Sequence, residues 1–184
     1  MRPNGARAGA ISTRARKRRK ALVLSLATVV LTLLALASYA RMPSYLVWNA
    51  SASVPRGLYL MSPNAPIGRY DLVLAWLPDA VRRTAAERHY LPADVPIIKP
   101  VAAMFGDIVC AVGDGISINE TVIAKRLAHD RQGRPMPTWL GCKILRDDEL
   151  LLLAAGVTDS FDGRYFGPLE ASQVVGTLVP LWTY

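Results

Sequence analysis

The chain has 184 residues, which leaves room for one globular core once any targeting segment is set aside. Hydrophobic residues make up 52% of it and charged residues 20%, so a disordered or fibrous chain is excluded and part of the apolar content is available for a membrane. The net charge of +8 lies in residues 1–20, which hold eight of the 22 basic residues and no acid, leaving 14 basic against 14 acidic residues. A nucleic-acid-binding domain would carry its positive charge on the folded part, so we do not expect one here.

An uncharged apolar segment, residues 21–40, follows this basic arm directly. Twenty residues in a helix cover about 30 Å, the hydrocarbon thickness of a bilayer, and the preceding positive charges favour a cytoplasmic arm. We therefore predict one transmembrane anchor, with residues 1–20 in the cytoplasm and residues 41–184 on the far side of the membrane. The alternative is a cleavable signal peptide, because Ser38 and Ala40 have the spacing of a cleavage site; it would export the same residues.

Short strand-like runs separated by turn residues dominate the exported part and predict a mostly β domain. These runs are residues 72–76, 97–104, 108–112, 116–118, 150–154 and 174–182. Residues 79–90 differ, since they begin with Asp79, a candidate N-cap, and mix alanines with charges, which predicts a short surface helix. Residues 127–139 are polar and contain Gly and Pro, so we expect a long exposed connection there.

Cys110 and Cys142 are the two cysteines of the chain. An oxidising compartment would let them form one structural disulfide, which we predict, and two unpaired buried thiols are the alternative. Closing a loop of about 30 residues would stabilise a small domain by about 3–4 kcal/mol. Two cysteines are too few for a zinc site, and no cluster of His, Cys, Asp and Glu has metal-ligand spacing, so we expect neither a metal nor a cofactor.

Two serines and one lysine are the candidates for chemistry. Ser51 and Ser53 come shortly after the apolar segment, in a stretch with Pro55 and Gly57 that by itself indicates only a constrained loop. Lys99 is the single charge in the apolar run of residues 95–105. A lysine in such a run usually extends its ammonium to water, but burial would lower its pKa and let it accept a proton near neutral pH. A neutral lysine within reach of a serine hydroxyl forms a nucleophile and base pair without histidine.

A third segment lies near the end of the chain. Asp162 and Arg164 flank one glycine, where charge-assisted hydrogen bonds can brace a turn, although alone the pair predicts only a surface salt bridge. His89 and His129 lie among charged residues and have no nucleophile-elbow motif, so we do not expect a Ser-His-Asp enzyme.

Taken together, these three segments resemble the type I signal peptidase superfamily of membrane-bound serine-lysine proteases, and within it the TraF-like conjugative transfer signal peptidases. Residues 51–59 match the pattern S-x-S-x-P-x-G-x-Y of that branch, which implies Ser53 as the nucleophile. Lys99 is followed at the seventh and eighth positions by Gly106 and Asp107, as the base of the family is. Residues 160–167 match the last box, S-x-D-x-R-Y-x-G. The resemblance spans nearly all of residues 21–184 and implies a signal-peptidase-like antiparallel β domain.

The resemblance also implies a role for each matched residue. Lys99 would take the proton of Ser53 while Ser53 Oγ attacks the scissile carbonyl. The Ser53 N–H and the Ser51 hydroxyl would stabilise the oxyanion. The supporting residues, which orient the lysine or hold the wall of the site, are Ser160, Asp162, Arg164 and Asp107. The chain departs from the housekeeping enzymes at Val54, at Pro100 and at Tyr70-Asp71, which puts housekeeping specificity in doubt more than the mechanism.

For a TraF-like enzyme the resemblance implies a periplasmic domain on the bacterial inner membrane, with membrane lipids and a pilin precursor as its partners. The precursor would be processed during assembly of a conjugative or type IV secretion pilus, with hydrolysis and cyclisation both left open. The alternative from another class is a membrane-tethered assembly factor that keeps the peptidase fold and cleaves nothing.

Overall fold

The computed structural model describes residues 7–39 and 45–184, which belong to two separate units. In the first unit, helix α1 spans Arg7–Tyr39. Among the described residues there is no helix of the length and apolarity that crossing a membrane requires. The last residue of the predicted anchor, Ala40, lies outside the described residues.

The second unit is built mainly of short strands with two short α-helices, so the mostly β prediction is confirmed. Its strands are β1 Leu46–Asn49, β2 Gly57–Ser62, β3 Leu72–Ala75, β4 Ile97–Ala103, β5 Ile108–Val112, β6 Gly115–Ile118, β7 Thr121–Lys125, β8 Gly141–Ile144, β9 Glu149–Leu152, β10 Leu169–Glu170 and β11 Val174–Thr183. Its helices are α2 Asp79–Glu87, α3 Gly163–Phe166 and one 3-10 turn, Ala171–Gln173.

The strands form two antiparallel sheets. The larger has the order β1-β2-β11-β3-β4-β9-β10, and the smaller has the order β7-β6-β5-β8. Strand β4 lies between β3 and β9, with Lys99 opposite Val73 and Val101 opposite Leu152. Strand β4 is thus an interior strand of the larger sheet, and Lys99 in it is buried.

Three apolar clusters hold the second unit together. The first joins residues of β3, β4 and β9, including the fully buried Val73 and Val101, to Ala85 of α2. The second packs the smaller sheet against β9. The third contains Val54, which precedes β2, together with Ile98 of β4. The third cluster therefore links the serine segment to the strand that carries the lysine.

The disulfide prediction is confirmed. Cys110 on β5 and Cys142 on β8 are directly opposite each other in the smaller sheet, with Cα atoms 4.0 Å apart and their sulfur atoms bonded. The bond ties β8, a fully exposed edge strand, to the middle of its sheet. Two unpaired thiols are thereby excluded.

Helix α2 forms where the sequence indicates, but its start differs from the prediction. Pro78 is the N-cap and makes no side-chain capping bond, while Asp79 is the first helical residue and pairs with Arg82 at 2.6 Å. Proline fixes its own φ and cannot donate a backbone hydrogen bond, so it can begin a helix without leaving a donor unpaired.

The connection predicted at residues 127–139 is a loop, and one polar side chain organises it. Asp130 accepts hydrogen bonds from the backbone N–H groups of Gln132 and Arg134 and from the Tyr90 hydroxyl. Most residues of this connection are exposed, as expected.

Candidate active site

The two serines lie in the loop that joins β1 to β2, residues 50–56, here called the hairpin loop. The last residue of β1, Asn49, pairs with the first of β2, Gly57. A Cβ at Gly57 would lie 2.0 Å from the Trp182 carbonyl oxygen, and its φ is +149°, so only glycine lets β11 pass this close. The Tyr59 hydroxyl donates to the Pro55 carbonyl at 2.6 Å. These contacts explain the P-x-G-x-Y part of the motif as the base of a fixed loop.

The side chain of Asn49 organises the inside of the hairpin loop. It is 4% exposed, and its Nδ2 donates to the carbonyls of Ser51, Val54 and Pro55 at 3.0–3.1 Å. Its Oδ1 accepts from the Ser51 N–H at 3.0 Å and from the Ser51 hydroxyl at 2.8 Å. Asn49 is not among the site residues predicted from the sequence, although an asparagine at a strand end two residues before a serine is a common turn signal.

The two serine hydroxyls lie 3.3 Å apart. A hydroxyl has one proton, and that of Ser51 is donated to Asn49, so the Ser53 hydroxyl is the donor between the serines. Ser51 is exposed and Ser53 is half-buried. The structure therefore brings both serines together at the surface, joined to Asn49 by a short chain of hydrogen bonds.

Lys99 is buried on β4 and does not extend to water. It is 5% exposed, and its Nζ donates to Ser160 Oγ at 2.7 Å. Burial lowers the pKa of Lys99 to about 8; the charge of Asp162 opposes this shift and that of Arg164 adds to it. At pH 7 about a tenth of this amine is thus unprotonated, and the fraction rises to about half at pH 8, which lets it act as a general base.

Asp162 and Arg164 form a buried ion pair, not the surface salt bridge that the segment alone predicts. They are 0% and 1% exposed, and Arg164 Nε lies 2.8 Å from Asp162 Oδ1. Asp162 also caps α3 and accepts from the Ala154 N–H, while Arg164 donates to the carbonyls of Ala154, Thr158 and Lys125. The pair fixes the segment that presents Ser160 to Lys99.

Asp107 occupies the turn after β4. Its carboxylate accepts from the Met104 N–H, the Asn119 amide and the Arg69 guanidinium at 2.6–2.9 Å. Burial alone would raise the pKa of Asp107, but these hydrogen bonds outweigh it and lower the pKa. The residue holds a turn, and Lys99 is not among these hydrogen-bond partners.

The structure thus forms two polar groups. One contains Asn49, Ser51 and Ser53, and the other contains Lys99, Ser160, Asp162 and Arg164, here called the lysine cluster. Within the described ranges, no hydrogen bond joins Lys99 to Ser51 or Ser53. The segments are nevertheless linked, because Val54 and Ile98, which neighbour Ser53 and Lys99 in the chain, lie in the same apolar cluster.

Neither histidine has a hydrogen bond to a side chain of these two groups in the described part of the chain. His89 follows α2 and His129 lies in the connection after β7, and both are exposed. No group of three or more His, Cys, Asp or Glu in the described part of the chain is placed to hold a metal ion.

Comparison with known proteins identifies the family. The family model described as signal peptidase, peptidase S26, matches residues 18–182. A plasmid transfer protein TraF from Escherichia coli is 34% identical over 146 residues, covering 74% of this chain and 82% of that protein. A probable conjugal transfer protein TraF from Sinorhizobium fredii is 33% identical over 184 residues, covering 94% of this chain and 95% of that protein.

A solved structure of a signal peptidase I from Enterococcus faecalis is 18% identical and covers 64% of this chain and all of that one. Its TM-score is 0.36, which supports no conclusion about this chain. The family match and the relatives, by contrast, show that this chain belongs to the signal peptidase family, peptidase S26, and is a TraF-like member of it.

Proposed function

We propose that this chain is a membrane-anchored serine endopeptidase with Ser53 as nucleophile and Lys99 as general base. The observation that carries the proposal is the buried amine of Lys99, held by Ser160 and with its pKa lowered to about 8. A lowered pKa in a buried lysine is a common property of catalytic bases.

In the proposed reaction, Lys99 accepts the proton of the Ser53 hydroxyl while Ser53 Oγ attacks the scissile carbonyl. The protonated amine then donates to the leaving nitrogen, and water or an amine attacks the acyl-enzyme. Catalytic hydrogen bonds are often long or poorly aligned before substrate binds, so the two groups are proposed to meet in the substrate complex. The shared apolar cluster of Val54 and Ile98 supports this, because it keeps their segments adjacent.

The oxyanion that forms during the attack needs preorganised donors. The Ser53 N–H and the Ser51 hydroxyl are proposed for this role, and removing one such donor costs about 3–4 kcal/mol of transition-state stabilisation. Ser160 is proposed to orient the amine, and Asp162 with Arg164 to hold the segment behind it. Asp107 is proposed to support the turn after β4.

The proposed anchor is residues 21–40, on the basis of their uncharged sequence and the basic arm before them. The hydroxyls of Ser25, Thr28 and Thr32 bond to backbone carbonyls of their own helix, so they would bring no unpaired donor into a bilayer. This arrangement would place the catalytic domain in the periplasm, next to the inner membrane, where exported substrates emerge.

The proposed substrate is a pilin precursor with small residues before the scissile bond. The support is the relatives, which are named as plasmid and conjugal transfer proteins. Joining the new end to the pilin's own N-terminus remains part of the proposal, since attack by an amine or by water uses the same acyl-enzyme.

The test compares Ser53→Ala and Lys99→Ala with two controls in the full-length chain. The controls are Ser172→Ala and Lys125→Ala, which change an exposed serine and a lysine whose side chain is 75% exposed. The assay follows cleavage of a membrane-inserted pilin precursor by gel mobility and mass. We expect loss of cleavage in both test variants and normal cleavage in both controls, with all four proteins folded.

Cleavage at the wild-type rate in either test variant would contradict the assigned pair. An uncleaved precursor with wild-type protein, together with normal pilus assembly in the Ser53→Ala strain, would instead support the inactive assembly factor.

A further inference from the structure

The proposed chemistry leaves Asn49, a buried polar side chain next to the hairpin loop, without a role. Asn49 lies at the end of β1 and makes five hydrogen bonds, all to residues 51–55. A buried amide needs hydrogen-bond partners, and Asn49 finds all of its partners within six residues of itself. The bonds reach the backbone on both sides of Ser53, at Ser51 on one side and at Val54 and Pro55 on the other.

We propose that Asn49 is a positioning residue that fixes Ser53 and sets the direction of the Ser51 hydroxyl. The inference rests on the proposed function. Ser53 makes no hydrogen bond in the described structure except the one to Ser51, so its place depends on the backbone that Asn49 holds. A displacement of about 1 Å in a reacting group can cost about 100-fold in rate.

The Ser51 hydroxyl gives the second part of the inference. Its one proton is donated to Asn49 Oδ1 at 2.8 Å, and the proposed oxyanion role needs the same proton. The hydroxyl must therefore turn from Asn49 to the oxyanion as the acyl-enzyme forms. Asn49 Oδ1 keeps the Ser51 N–H as a partner at 3.0 Å, so this rotation leaves no buried acceptor unpaired. Asn49 thus accepts the Ser51 proton until the oxyanion forms.

Two variants separate positioning from simple stabilisation. Asn49→Ala removes all five bonds. Asn49→Asp keeps the shape and both acceptor bonds but replaces the amide donor by an oxygen that faces three carbonyls. A protonated carboxyl can donate once, so lowering the pH should restore part of the loop geometry in Asn49→Asp alone.

The control is Glu149→Ala, which removes another buried polar side chain that accepts from Lys143 and from the Arg146 N–H, far from the hairpin loop in sequence. All variants are compared in the full-length chain by cleavage kinetics of the pilin precursor, with thermal stability measured alongside. We expect kcat to fall about 100-fold in Asn49→Ala with KM changed less than about threefold. In Glu149→Ala we expect kcat within about twofold of wild type at an equal or larger loss of stability.

The pH profile adds a readout that a structural role would not move. The ratio of kcat in Asn49→Asp to kcat in wild type should fall as pH rises, because the introduced carboxyl loses its proton. A ratio that is constant with pH, or a wild-type kcat in Asn49→Ala, overturns the inference. If Ser53→Ala still cleaves, the proposed function fails instead, whatever Asn49 does.

Hydrogen exchange tests the loop without any catalysis. The Ser51 amide should exchange faster in Asn49→Ala than in wild type, while amides of β5 should not change. Unchanged exchange at Ser51 would show that Asn49 does not hold the loop, and would overturn the inference even if the protease assignment stands.

Discussion

The hairpin loop and the lysine cluster are stabilised in opposite ways. The bonds of Asn49 span at most six residues of sequence and are buried or partly buried, next to an exposed Ser51. Lys99 and Ser160 are 61 residues apart and both are buried. A nucleophile must meet substrate, so local polar bonds suit it, whereas a lysine base must lose its hydration, which only the folded core can provide.

The largest expected effect is a loss of stability when the lysine cluster loses Arg164. Arg164→Ala leaves Asp162 as a buried charge without its partner, so the free energy of unfolding should fall by about 3–5 kcal/mol. Chemical denaturation of the full-length chain measures this. The control, Arg131→Ala, breaks an exposed pair with Asp159 and should cost less than about 1 kcal/mol. Equal losses in the two variants would contradict the view that the cluster depends on burial.

A smaller effect concerns the charge of Lys99. Its pKa falls from 10.5 to about 8 on folding, so the unfolded chain binds more protons between these values and wild-type stability should rise with pH there. Lys99→Met has no amine to titrate. The difference in unfolding free energy, wild type minus variant, should therefore increase by up to about 3 kcal/mol from pH 8 to 10.5.

Thermal unfolding at several pH values measures this difference, and Lys125→Met serves as the exposed control. Parallel stability curves for wild type and Lys99→Met across this range would show that the amine is not desolvated.

The smallest effect concerns the hairpin loop. Tyr59→Phe removes the hydroxyl that bonds to Pro55, and a neutral hydrogen bond contributes about 1 kcal/mol. We expect a stability loss of this size and a reduced kcat, because the loop loses one of its two side-chain supports. Tyr70→Phe, at an exposed tyrosine, is the control in the same denaturation and cleavage assays. An equal loss of kcat in both variants would show that the bond between Tyr59 and Pro55 has no specific effect on catalysis.

The sequence predicted the strands best where burial is regular. Residues 108–112 form β5 with the predicted bounds, because their apolar residues lie between turn residues. Strand β8 was not predicted, since all four of its residues are exposed and its place depends on pairing with β5. Strand β2 is not predicted for another reason. Its first three residues belong to the S-x-S-x-P-x-G-x-Y motif, which indicates a loop and not a strand.

The site shows a similar division. The motif indicated Ser51, Ser53 and Lys99, but periodicity could not decide whether the lysine amine is buried, because its partner Ser160 lies on a distant segment. Likewise, the Asp162–Arg164 pair is recognisable as a turn brace, yet its burial follows from contacts with Ala154 and Lys125 that no local pattern contains.

The most direct test of this account is the titration of the Lys99 side chain in the full-length chain, followed by nuclear magnetic resonance of labelled lysine with Lys99→Met for assignment. The account predicts a midpoint near pH 8, and therefore an amine that is partly neutral under physiological conditions. A midpoint near the ordinary value of 10.5 would contradict it, because a fully charged Lys99 could not accept the Ser53 proton.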